Sequence, residues 1–157
     1  MKFTKSDYVR RISNCTPVQL VVINYELVLD YIDEAKQQLQ QGNEKKFRQN
    51  LSVAQNLMNE LTGSLNMSLE ISWELISLYL FVNKLLAQAA ASNDPQHLDD
   101  AEKILNNLLV GWQGLVDQET DKAPVIENSQ QVYAGLTYGR GGLDEFIPTD
   151  VSRGFKA

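Results

Sequence analysis

Covalent or metal chemistry in this sequence would have to run through very few side chains. His97 is the only histidine and Cys15 the only cysteine. A lone exposed histidine on a helix can carry a phosphoryl group. A phosphotransfer histidine, however, sits mid-helix with a lysine three residues on and a glycine after it. Here Asp100 and Ala101 hold those places, and His97 falls in the first turn of its helix. A carboxylate-bridged di-iron bundle needs two Glu-x-x-His motifs, which one histidine cannot supply. Cys15 has no histidine nearby in sequence to activate it, although its place before a helix start favours a lowered thiol pKa. Asp30 with Asp33 and Glu34, and Asp99 with Asp100 and Glu102, read as solvated helix faces rather than metal ligands. Lys45, Lys46 and Arg48 form a small basic surface patch. Gly139-Arg140-Gly141-Gly142 lacks the preceding strand and following helix of a phosphate loop. No catalytic residue, metal or cofactor is expected.

The elements that carry these residues are helical. Thr16-Pro17-Val18-Gln19 is a helix start, with Thr16 and Gln19 placed for a capping box and Pro17 at the first helical position. The first long helix runs to about Gln41, where Gly42 stops it. A second starts at Asn43 or Glu44 and lines Phe47, Leu51, Ala54, Met58, Leu61 and Leu65 on one face. A third runs from about Ser68–Ile71 to Ser92 with Ile71, Leu75, Leu78, Val82, Leu85 and Ala89 as its core stripe. Asp94-Pro95 opens a fourth that carries Leu98, Ala101, Leu105, Leu108, Trp112 and Leu115 and ends near Glu119. The connections are short, so neighbours are antiparallel. The expected architecture is all-α: an up-down four-helix bundle over residues 1–122, preceded by a short amphipathic segment, Tyr8 to Ile12. Residues 123–157 form an extended tail. The last 38 residues hold five of the nine glycines, yet also Val132, Tyr133, Leu136, Tyr138, Leu143, Phe146, Ile147 and Phe155.

The first long helix has more apolar surface than docking requires. Val18, Val21, Val22, Tyr25, Val28, Leu29 and Ile32 make one stripe. Leu20, Ile23, Leu27 and Tyr31 make another on nearly the opposite side. The second stripe must be covered by another part of the chain or by another protein. That favours a binding protein over an enzyme.

Composition agrees. The chain has 157 residues, is 43% hydrophobic and 22% charged, and carries a net charge of -6 with a pI near 4.8. This suits one soluble domain and argues against nucleic acid as partner. The apolar runs are too short to span a bilayer, no signal peptide is evident, and a lone cysteine fits a cytoplasmic location.

The order of motifs resembles the flagellar secretion chaperone FliS family. Thr16-Pro17-Val18-Gln19-Leu20-Val21-Val22-Ile23-Asn24-Tyr25-Glu26 resembles its "SPxxLVxMLYD" opening. Ala54 to Leu61 with Ser64-Leu65-Asn66 resembles its second helix and turn, and Leu75-Ile76-Ser77-Leu78-Tyr79-Leu80-Phe81 its "LxxLYxY" helix. Leu98 through Ile104 to Trp112 resembles the closing helix. The similarity spans roughly residues 8–118. Asn24 replaces a usual apolar residue, Glu26 the usual aspartate and Leu27 the usual glycine. The resemblance implies a cytoplasmic chaperone that binds the disordered C-terminal region of flagellin, prevents premature polymerisation and assists delivery to the export apparatus, with other flagellar regulators as further partners. The apolar residues off the core faces are then the candidate flagellin contacts: Tyr8, Ile12, Leu20, Ile23, Leu27, Tyr31, Val53, Leu57, Trp73, Ile76, Leu80 and Ile104, with Leu86, Leu109 and Val116 beside them. In the tail, Tyr133, Leu136, Tyr138, Leu143 and Phe146 either lie across an apolar groove and shield it until the client arrives, pack permanently, or belong to a flexible tail with scattered aromatics; the segment around Tyr8 and Ile12 is a rival cover. A phosphotransfer module built on His97, and a helical adaptor for a different partner, are the competing readings.

Overall fold

Local sequence signals set each helix boundary. The computed structural model describes residues 2–119. It contains α1 (Lys5–Ser13), α2 (Pro17–Gln40), α3 (Glu44–Gly63), α4 (Glu70–Ser92) and α5 (Gln96–Glu119), with no strand among these residues. At the start of α2 the Gln19 amide donates to Thr16 Oγ1 at 3.2 Å and the Thr16 amide donates to Gln19 Oε1 at 2.9 Å, the reciprocal bonds of a capping box. Gly42, at φ +79°, ends α2 in the left-handed region that side chains avoid. Asn43 caps α3 by accepting from the Lys46 amide. Asn93, at φ 53°, is the other left-handed residue among those described and turns the chain out of α4.

The four long helices pack as a ring, α2 against α3 and α5, and α4 against α3 and α5. Each inward stripe follows helical spacing. Tyr25, Ile32, Phe47, Leu51, Met58, Tyr79, Leu86, Leu98 and Leu105 are buried at its centre. Three aromatic residues tie three helices together. Tyr25 and Tyr79 share a hydroxyl–hydroxyl hydrogen bond of 2.6 Å, and Trp112 Nε1–H donates to Tyr25 Oη at 3.1 Å. At the opposite end of α5, Lys36 of α2 donates to Asp99 at 2.6 Å and Glu102 at 2.8 Å.

The core of α4 differs from its expected stripe. Ile71 and Leu78 are exposed and Tyr79 is buried in their place. Periodicity alone could not choose, because α4 is apolar on most of its circumference. By length and composition it is the one described helix apolar enough to cross a membrane. Here it packs between α3 and α5 instead. Leu86, an off-face candidate, is core.

Candidate binding surface

The second stripe of α2 is largely covered within the chain. Leu20 and Ile23 are buried, and Leu27 and Tyr31 are half-buried. One side is covered by α1. A capping box starts this helix, Thr4 Oγ1 accepting from the Asp7 amide and Asp7 Oδ2 accepting from the Thr4 amide, each at 3.1 Å. Its Tyr8 packs on α2, only 4% exposed, and donates its hydroxyl to Asp30 Oδ2 at 2.5 Å. The Phe3 amide donates to the same oxygen at 3.3 Å. Arg11 pairs with Glu26 of α2 at 2.5 Å, and its guanidinium stacks on the Phe3 and Tyr8 rings at 4.9 and 5.8 Å from their centroids. Ile23, Glu26, Leu27 and Asp30 follow one another at i, i+3, i+4 and i+7, so they share the face on which α1 rests.

These contacts revise the reading of Asp30. It is buried beneath α1, not part of a solvated acidic face. Burial pushes the Tyr8 phenol far above its ordinary pKa, and the hydrogen bond to Asp30 adds to this. The phenol therefore stays a donor at every physiological pH. Asp99 and Glu102 likewise serve as partners of Lys36. Burial opposes the charge on that lysine, but hydrogen bonds to Asp99 and Glu102 outweigh it and raise its pKa.

The other side of the stripe faces α3. Helices reversing at Gln41–Asn43 bring Tyr31 opposite Val53, and Leu27 opposite Leu57. Leu57 is buried and Val53 is exposed. On the same flank Asn24 is 2% exposed, and neither its amide nitrogen nor its carbonyl oxygen has a hydrogen-bond partner. Such orphaned amides are rare in native cores. The sequence marked Asn24 only as a departure from an apolar position.

The remaining candidates are scattered around this strip. Trp73 and Leu80, seven residues apart on α4, are 62% and 57% exposed. Ile76 is half-buried between them, and Ile12, Ile104, Leu109 and Val116 are half-buried too. A cleft of about 610 Å³ opens where the end of α1, the start of α2 and the end of α5 meet, lined in part by Arg11, Cys15, Val22, Ile23 and Val116. Ile23 is thereby approached from the side that α1 leaves unsealed. Tyr8, Leu20, Ile23 and Leu57, expected as client contacts, are all buried in the free chain. Leu20 and Ile23 are buried where α1 and α3 close over the stripe, and Tyr8 and Leu57 are buried as the covering side chains.

The chemical candidates resolve plainly. His97 is half-buried in the first turn of α5. Cys15 is half-buried and donates to the Ile12 carbonyl at 3.2 Å, and burial raises its pKa, contrary to the lowering expected from the helix start. No group of three or more His, Cys, Asp or Glu residues that could hold a metal ion occurs among the described residues. Tyr133, Leu136, Tyr138, Leu143 and Phe146, and the expected boundary at 122/123, lie outside the described residues.

The fold and this surface define a class: a helical bundle whose apolar flanks exceed its own core and are partly closed by a clamped N-terminal helix. The particular family follows from sequence. The model of the family "Flagellar protein FliS" matches residues 4–119, and this chain belongs to that family. The Flagellar secretion chaperone FliS of Bacillus subtilis (strain 168) is 27% identical over 108 residues, which is 69% of this chain and 81% of that protein.

Proposed function

We propose that this protein is a cytoplasmic export chaperone that binds the C-terminal region of flagellin, prevents its premature polymerisation and assists its delivery to the export apparatus. The observation that carries this reading is the strip Leu20, Ile23, Leu27, Tyr31, Val53 and Leu57. Part of it is closed by a helix of nine residues held through Tyr8–Asp30 and Arg11–Glu26.

A disordered client segment that folds into apolar grooves gains affinity from the surface it buries. Ordering it costs about 2–5 kcal/mol or more. Burying about 1000 Å² of apolar surface returns roughly 25 kcal/mol before ordering and association costs are subtracted. A single exposed stripe is too small for this, so α1 has to yield the face it covers. Trp73, Ile76 and Leu80 on α4 extend the surface beyond the strip. Tyr8 and Ile12 then act as the movable cover, and the α1 clamp sets how readily the client enters. Catalysis and cofactors have no part in this mechanism.

Calorimetric titration with the cognate flagellin, and with flagellin lacking its C-terminal segment, tests the proposal. One-to-one binding with a large negative heat-capacity change, lost on truncation, is the expected result. Equal binding of both flagellins would sink it, and so would absence of binding to the full-length client.

A further inference from the structure

The groove between α4 and α5 is apolar, open and unused by the proposed client strip. Among the described residues, eight large apolar side chains are exposed, and five of them lie between Ile71 and Phe81. They divide into two stripes. Trp73 and Leu80 share a flank with Ile76 and Asn83, whose amide reaches Asn59 of α3 at 2.6 Å, so this flank faces α3. Ile71, Glu74, Leu78 and Phe81 follow at i, i+3, i+7 and i+10 on the other flank, towards α5. On α5, Asp99 and Glu102 face Lys36 of α2. Ile104, Leu108, Gly111 and Leu115 repeat at i, i+4, i+7 and i+11 on the flank away from it, towards α4. Antiparallel pairing about the Ser92–Gln96 turn sets Ile71 near Leu115, Leu78 near Gly111 and Phe81 near Leu108.

Gly111 is the unexplained residue of this groove. A glycine inside a helix weakens it relative to alanine. A Cβ at Gly111 would meet nothing within 4 Å, so no neighbour among the described residues requires the glycine. A glycine at such a place suits the close approach of another backbone.

We propose that the occupant is a segment of this same chain, residues 132–146, led by Tyr133, Leu136 and Tyr138, laid along the α4–α5 groove over Gly111. Two observations select it. The chain leaves α5 at Glu119, at the Ile71 end of the groove, and 38 further residues follow. The fourteen residue steps from Glu119 to Tyr133 reach about 20 Å as a coil. Leu108 lies about 16 Å back along α5 from Glu119. Finally, the family match ends at residue 119, so the segment is an addition to the shared bundle. This inference does not rest on the identity of the client.

Thiol accessibility in the full-length chain tests it. Cys15→Ser removes the native thiol, and Leu78→Cys places a probe in the groove; Phe81→Cys serves as a second, independent probe. Each is made with the tail intact and with Tyr133→Ser, Leu136→Ser and Tyr138→Ser together, and circular dichroism confirms equal helicity. At an effective concentration near 1 mM, a segment whose free affinity is about 0.1 mM is docked roughly ten times more often than not. Maleimide labelling of either probe is therefore expected to run about tenfold faster in the tail-substituted chain, independently of protein concentration. Equal rates with and without the tail substitutions would overturn the proposal. So would protection that persists in the substituted chain and grows with protein concentration, which would make a second copy the occupant.

Discussion

Asn24 gives up stability at a single position. Its amide is buried without a partner on the flank of α2 that faces α3. A buried polar group left unsatisfied costs about 1–3 kcal/mol. Asn24→Leu removes that cost with a side chain of the same branched shape. It is expected to stabilise the free protein by about 1–2 kcal/mol, seen as a higher urea midpoint at an unchanged slope. An unchanged or lower midpoint would mean that the amide finds a partner in solution. Tyr8 is the complementary case, because its polar group is fully engaged. A hydrogen bond to a charged acceptor contributes about 1.5–3 kcal/mol. Tyr8→Phe keeps the ring on α2 and loses only the bond to Asp30. If α1 is a cover, the substitution raises the open fraction and flagellin affinity rises with it, by about tenfold. If Tyr8 is instead a direct client contact, affinity falls. Titration of the two chains side by side reads the sign.

At the scale of elements, the glycines of α5 show how far a helix can be read from its own residues. Gly114→Ala adds a methyl into open space and is expected to stabilise the bundle by about 0.5–1 kcal/mol. Thermal unfolding checks this, and destabilisation would mean that something already packs against that glycine. Helix boundaries were legible for the same kind of reason. Thr16, Gly42, Asn43 and Asp94 act within one turn of their own positions, so the chain declares its starts and stops locally. Faces were less legible. The stripe of α2 was found correctly, but what lies over it depends on α1, whose docking rests on Tyr8–Asp30, a pair separated by 22 residues. Nothing in the spacing of Asp30, Asp33 and Glu34 distinguishes the one that becomes buried. In α4 the apolar residues exceed the core's needs, so Leu78 and Tyr79 were interchangeable on paper. Only packing between α3 and α5 turned Tyr79 inward and left Leu78 on the surface.

Over the whole molecule, the junction of Tyr25, Tyr79 and Trp112 makes the bundle one cooperative unit. The three residues come from α2, α4 and α5 and meet edge to face, with ring centroids 6.1 and 6.4 Å apart. No one of these helices can leave without breaking the junction. Burial holds the Tyr25 phenol well above its ordinary value, with Tyr79 adding to the effect, and burial pushes Tyr79 up to about 12. A phenol whose pKa is raised on folding is favoured in its protonated form. Its contribution is complete below the ordinary phenol pKa of about 10 and is lost as pH rises towards the folded value. Alkaline unfolding should therefore set in between about pH 10 and 12 and take the whole bundle at once. The final rise in tyrosinate absorbance should coincide with the loss of helical dichroism. Tyr79→Phe removes one of the two titrating groups and should move that midpoint to higher pH. Ionisation of Tyr25 and Tyr79 with the helices intact would show that the junction opens locally, and that the bundle does not unfold as one body.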